Sequence, residues 1–180
     1  MNNLRKKYIE EIIPQLKKET GKNNEWAVAR PEKVSINAGL SKADKNPEFK
    51  KDVINDLRAI SGQAPVLSRA KKSISGFKVR QNQEVGAVVT LRGRRMWDFI
   101  ERLVGVTLPR IRDFRGIERR SVDGQGNLNY GIKEQLVFPE ISHDDIKNIF
   151  GMQVNIKTTA DNKEEGLKMF ELLGFPMQKD

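Results

Sequence analysis

The sequence predicts an α+β fold, a two-layer domain in which a mostly antiparallel sheet carries helices on one face and extends a projecting basic β-hairpin. Three observations predict it. Apolar and polar residues alternate around Val34, Ile36 and Ala38, from Val85 to Leu91, through Leu128, Tyr130 and Ile132, and from Gln153 to Thr159, the period of strands with one buried face. Elsewhere apolar residues recur at helical spacing, as in Phe49, Val53, Leu57 and Ile60. No Pro-, Gly- or Ser-rich linker divides the 180 residues, so residues 1–180 are expected to form a single domain around one core.

Charge and composition narrow the partners. Lys and Arg number 33 against 24 Asp and Glu, and the net charge of +9 calls for an acidic partner, either nucleic acid or an anionic membrane surface. The absence of cysteine excludes a disulfide framework and a thiolate zinc site. Met1 to Glu11 is charged and lacks the apolar core of a signal peptide, and no stretch reaches membrane-spanning length, so the cytoplasm is the expected location.

In chain order, Leu4, Tyr8 and Ile12, with Ile9 and Ile13 beside them, mark an amphipathic helix that Pro14 should kink or interrupt. Its basic face is either solvated or in contact with RNA, and the residues alone leave this open. After a loop, Gly21 to Glu25, the first strand displays Lys33, Ser35 and Asn37 opposite its apolar side; an idle polar face and an RNA-binding face read alike at this level. Asn46 caps the next helix, with Pro47 in its first turn and Gly62 at its end.

Between Gln63 and Gln83 stand Arg69, Lys71, Lys72, Lys78 and Arg80 with no acid, a local field that favours a polyanion. Two extended runs, Val66 to Ile74 and Val85 to Arg92, flank a tip of Ser75, Gly76 and Phe77. Met96, Phe99, Ile100, Leu103 and Val104 then form a helix closed by Gly105. Arg92, Arg94 and Arg95 crowd its start, where positive charge opposes the helix dipole and an external phosphate would neutralise it.

Arg110 to Asn127 has no period and is expected to be a long mobile loop. Gly124 to Asn127 fits a hairpin turn better than a phosphate cradle, since no lysine follows. A strand from Leu128 should run on until Phe138-Pro139. His143, Asp144 and Asp145 are the one place to argue metal or acid–base chemistry, but Ser142 and Asp145 have the spacing of a helix cap, which is the plainer cause. Asp161 and Glu164 should cap a last helix bearing Leu167, Phe170 and Leu173 and stopped by Gly174 and Pro176.

Several of these segments carry a resemblance. Ser61-Gly62-Gln63 with Pro65, Ala70-Lys71-Lys72-Ser73, Gly76-Phe77-Lys78-Val79-Arg80 and Val89-Thr90-Leu91-Arg92-Gly93 resemble the L-five family of bacterial large-subunit ribosomal proteins. Leu108 to Gly116, Asp123 to Asn127, Phe138 to Ile141 and Thr158 to Ala160 follow in the family's order, so the likeness covers nearly the whole chain.

The resemblance implies a non-enzymatic structural constituent of the large ribosomal subunit, working in the cytoplasm, that binds 5S ribosomal RNA in the central protuberance. It implies a 5S-facing surface of Lys33, Ser35, Asn37, Gln63, Arg69, Thr90 and Arg92, with the arginines as phosphate partners. The hairpin residues Lys72, Ser73, Ser75, Gly76, Phe77, Lys78 and Arg80 would reach the peptidyl-site transfer RNA. Arg112, Arg115 and Gly116 would face the small subunit. The implied partners are 5S and 23S ribosomal RNA, that transfer RNA, neighbouring large-subunit proteins and a protein of the small-subunit head, with no membrane, cofactor or metal.

Two other classes remain open from the residues alone. One is a stand-alone RNA-processing or RNA-chaperone protein, of which a hydrolase would need acid–base or metal residues that only the segment around His143 offers; the other is a membrane-surface protein, which would set its charge beside an exposed apolar stripe rather than on an alternating hairpin.

Overall fold

The computed structural model describes residues 3–22, 24–41, 46–141 and 148–178, and for Phe77 the backbone alone. Its helices are α1 (Asn3–Lys7), α2 (Ile13–Thr20), α3 (Pro47–Ser61), α4 (Gly93–Arg102) and α5 (Lys163–Leu172). Five strands, β1 (Pro31–Gly39), β2 (Val66–Arg69), β3 (Glu84–Leu91), β4 (Leu128–Ile132) and β5 (Met152–Thr158), form one antiparallel sheet in the order β2-β3-β1-β5-β4. The α+β expectation is therefore met. The helix expected after Ser142 lies outside the described residues. Two compact units make up the chain, one of Met1–Ser35, Leu91–Tyr130 and Val154–Asp180, the other of Ile36–Thr90 and Gly131–Gln153.

In the first unit, α1 and α2 are joined by a π-helical turn, Tyr8–Ile12, closed by the bond from the Ile13 amide to the Tyr8 carbonyl. Pro14 explains it: proline has no amide to donate and its ring crowds the carbonyl of Glu10, and the wider turn makes room without ending the helix. Tyr8, Ile12 and Leu16 are buried, whereas Ile9 points to solvent. The Tyr8 ring packs 5.1 Å from that of Trp97 on α4, and its hydroxyl donates to the Ala29 carbonyl at 2.7 Å.

α4 does not stop at Gly105. The helical path continues through a π turn, Leu103–Thr107, and a 3-10 turn, Leu108–Arg110, because burying Leu103 and Leu108 outweighs the roughly 1 kcal/mol that a helical glycine costs. α5 is capped by Asn162 rather than Asp161: Asn162 Oδ1 accepts the Glu165 amide at 2.9 Å, and Glu165 Oε2 accepts the Asp161 amide at 3.1 Å. Glu165 is buried, so its remaining oxygen needs partners, and it finds Lys22 Nζ at 2.7 Å and the Ala29 amide at 3.3 Å.

The segment from Arg110 to Asn127 is not one long loop. Ile117 is buried and bridges to Met177, and Val122, also buried, bridges to Leu128. Between them, Asp123 Oδ1 accepts the amides of Gln125 and Asn127, both at 2.9 Å, which makes the expected turn. Burial would raise the Asp123 carboxyl, but these bonds outweigh it and hold it below the usual carboxylate range.

In the second unit, Phe49, Val53, Leu57 and Ile60 of α3 are buried, each contributing roughly 1.5 to 3 kcal/mol. Asn46 Oδ1 accepts the Glu48 amide at 3.1 Å, and Gly62 closes the helix at a φ of 68°. β4 ends at Ile132, well before Phe138. There the fully buried Gln135 takes over as a connector: it accepts the Phe150 amide at 2.9 Å and donates to the Asn148 carbonyl at 2.7 Å.

Candidate nucleic-acid interface

Strand β1 sets the pattern of the candidate surface. Val34, Ile36 and Ala38 are buried, so Lys33, Ser35 and Asn37 face outward by the pleat, the first two half-buried and Asn37 exposed. Lys33 and Ser35 belong to the first unit and Asn37 to the second.

Within the second unit, β2 and β3 pair antiparallel, Val66 opposite Val88 and Ser68 opposite Gly86. The ladder shifts register between Ser68 and Arg69 and strand β2 stops there, short of Ile74. Thr90 is half-buried and Gln63 comes to it, donating from its side-chain amide to the Thr90 carbonyl at 3.4 Å. Arg69 is exposed and lies 3.8 Å from Glu84, which Lys50 also engages; the Lys50 bond chiefly holds the Glu84 carboxyl below its usual range. An exposed pair at that distance contributes little, so Arg69 stays available to a phosphate.

Asn37, Ser68, Gly86, Gly151 and Gln153 line a groove of about 510 Å³ in this unit. Gly86 adds no side chain to it; a Cβ there would stand in ordinary contact, 3.4 Å from the Ala38 carbonyl oxygen and 3.6 Å from Asn37 Oδ1. Nothing in the sequence pattern marks Ser68 and Gly86 as site residues. Gln153 lies on the polar side of its strand by period alone, and that alternation is the signal that could have found it.

In the first unit, Arg92 is exposed at the start of α4, whose first turn contains no acid and no side-chain cap. Glu32 is a further neighbour that the sequence reading does not single out. It accepts from Lys157 at 2.7 Å, and this bond, with the fields of Lys157, Lys33 and Arg92, holds its carboxyl below the usual range. Asn129 and Asn155 join across β4 and β5 at 2.5 Å.

The segment between β2 and β3 has a defined backbone. Ala70 and Gln83 pair at 2.8 Å, Ile74 and Val79 bridge, and Ser75–Phe77 forms a 3-10 turn. Ser73 Oγ accepts the Gln81 amide at 3.0 Å. Lys71, Lys72, Ser73, Ser75, Gly76, Lys78 and Arg80 are all exposed. Of the loop residues, Arg112 and Arg115 are exposed, whereas Gly116 acts through its backbone. At a φ of 97° it presses on the C-terminal segment, where a Cβ would meet the Pro176 carbonyl oxygen at 3.0 Å.

Comparison with known proteins identifies the family. A family model described as Ribosomal protein L5 matches residues 24–80, and the model for the C-terminus of the same ribosomal family matches residues 84–177. The chain is 49% identical to large ribosomal subunit protein uL5 of Thermus aquaticus over 98% of its length and 97% of the relative's. It is 46% identical to the protein of that name from Desulfatibacillum aliphaticivorans over 99% of the chain and 100% of the relative, and 47% identical, over the same shares, to that of Thermoanaerobacter sp. strain X514. An outward row of hydrogen-bonding side chains, exposed arginines and matches spanning almost every residue lead to one conclusion: the chain belongs to the ribosomal protein L5 family, whose members are structural rather than catalytic.

Proposed function

We propose that this protein, as a structural constituent of the large ribosomal subunit, binds 5S ribosomal RNA through the outward side of β1 and its neighbours. The outward row Lys33, Ser35 and Asn37 carries the reading, because a strand that spends its exposed side chains on amide and hydroxyl groups can reach base edges and riboses. Gln63 and Thr90 extend the uncharged set, and Arg69 and Arg92 take phosphates. 23S ribosomal RNA and neighbouring large-subunit proteins complete the surroundings.

The exposed cations and serines between β2 and β3 contact the peptidyl-site transfer RNA, and Arg112 and Arg115 face a protein of the small-subunit head. Gly116 serves that loop by fixing its base. The test is binding of purified protein to isolated 5S ribosomal RNA by filter retention or calorimetry. Affinity lost in Asn37→Ala and Thr90→Ala, with folding intact, supports the reading, and unchanged affinity in both removes it.

A further inference from the structure

We infer that Trp26, with Arg30 over one side of its ring, is a stacking platform for a single unpaired base of ribosomal RNA. The platform is a separate contact and rests on the RNA-binding reading above. Trp26 is 77% exposed, while the only other tryptophan, Trp97, is 7% exposed and part of the core. Most large aromatics in a fold bury their rings, so an indole left in water needs another reason to be there.

The indole is held out by backbone rather than left to wander. Trp26 sits in the 3-10 turn Glu25–Ala27, where Asn24 Oδ1 accepts its amide at 3.0 Å. The residues that follow are fastened down: Val28 and Ala29 are buried, and Ala29 is bonded at both its carbonyl and its amide. The Arg30 amide donates to Thr159 Oγ1 at 3.1 Å, and the Thr159 amide returns a bond to the Arg30 carbonyl at 3.0 Å. A ligand stacking here therefore has little ordering entropy left to overcome.

Charge selects the ligand. The Arg30 guanidinium carbon lies 5.4 Å from the centre of the Trp26 ring, which covers one face and leaves the other free. The nearby carboxylates are engaged elsewhere, Glu25 with Lys17 at 3.4 Å, and Asp161 and Glu165 with Lys22 at 2.7 Å each. Among the described residues Arg30 forms no ion pair, so its charge remains for the phosphate of the stacked nucleotide. Asn24, Glu25 and Ala27 around the indole are exposed and largely polar, which favours a nucleotide over an apolar protein surface.

The test uses the full-length protein with 5S ribosomal RNA in one arm and 23S ribosomal RNA in the other. Trp26→Ala is expected to weaken binding to one of them by about 5- to 150-fold, the range that one base–aromatic stack covers. Trp26→Phe should keep most of the affinity and Trp26→Leu should not. RNA should quench a tryptophan emission that is missing from Trp26→Phe. Equal affinity of Trp26→Ala and parent in both arms overturns the proposal, and so does rescue by Leu as complete as by Phe, which marks an apolar protein contact. Asn37→Ala and Thr90→Ala, measured alongside, separate the two readings: loss in either of these with Trp26→Ala unchanged sinks only the platform, loss in Trp26→Ala alone sinks only the β1 reading, and loss in none of the three sinks both.

Discussion

Gly126 and Gly166 touch backbone to backbone. A Cβ on Gly166 would lie 2.6 Å from the Gly126 carbonyl oxygen, and one on Gly126 would lie 2.6 Å from the Ala160 Cβ. Thr158 Oγ1 donates to the same Gly126 carbonyl at 2.9 Å, so the turn after Val122 is clamped against the first turn of α5. Gly166→Ala gains about 1 kcal/mol of helix propensity but drives a methyl into backbone. The expected net result is destabilisation of about 1 to 3 kcal/mol, read as a lower urea midpoint at unchanged slope.

Alkaline stability should depend on Tyr8. Burial, the largest influence, pushes its hydroxyl up to about 12 against an ordinary 10.0, with Arg30 opposing and Glu165 assisting. A raised value means that the fold prefers the protonated phenol. The stabilisation is complete below pH 10 and disappears as the pH climbs toward 12. Tyr8→Phe should cost about 1 kcal/mol at pH 8, through loss of the bond to Ala29, and the gap between variant and parent should close by pH 12. Paired denaturation curves at the two pH values check this.

Salt should separate the roles of the site residues. If about four to six phosphates are neutralised, the logarithm of 5S affinity falls against that of salt with a slope of about −3 to −5. Asn37→Ala and Thr90→Ala should lower affinity without changing the slope, and Arg92→Ala should reduce it by about 1. A slope that moves with Asn37 would contradict the division into base and phosphate contacts.

Replacing Lys72 to Arg80 with a short Gly-Ser linker should leave folding and 5S binding nearly intact, since none of the described side chains of this segment belongs to the core. Ribosomes carrying the variant should release peptidyl-site transfer RNA faster, corresponding to about 1 to 3 kcal/mol. The dissociation rate from purified ribosomes decides it.

For the loop that starts at Arg110, the appropriate change is Arg112→Ala with Arg115→Ala, because a deletion through Ile117 would remove a core residue. Subunit association, followed by light scattering, should weaken while the melting temperature holds. Normal association in the double variant would exclude these arginines from a subunit contact.

The features readable in advance were those whose cause lies within a few residues. The alternation in β1 and β3 placed Val34, Ile36, Val89 and Leu91 inside, and the pair Asn46 and Gly62 fixed both ends of α3. What escaped depends on partners far along the chain. Gln135 has nothing in its neighbourhood to mark it as buried, and its reason for being so is Phe150 and Asn148. Gly105 reads locally as a stop, and only the burial of Leu103 and Leu108 carries the helix past it. Asn162 rather than Asp161 caps α5 because Glu165, bound to Lys22 and Ala29, fixes where that helix begins. In the candidate site, strand period was enough to find Asn37, but Gly86 gains its meaning only from standing opposite Ser68 and beside Asn37.

The anchoring of Glu165 also governs when the molecule can be finished. Lys22 and Glu165 are 143 positions apart, and Ala29 and Glu165 are 136 apart. Synthesis runs from the N-terminus, so α2 and the turn bearing Trp26 exist long before the carboxylate that ties them down. Until α5 emerges, the Ala29 amide lacks its native acceptor, and closure must wait for a non-local encounter of the slow kind. A nascent chain arrested before Asn162 should therefore leave its N-terminal segment open to protease, and one carried past Asp180 on an added C-terminal linker before arrest, so that α5 has emerged, should protect it.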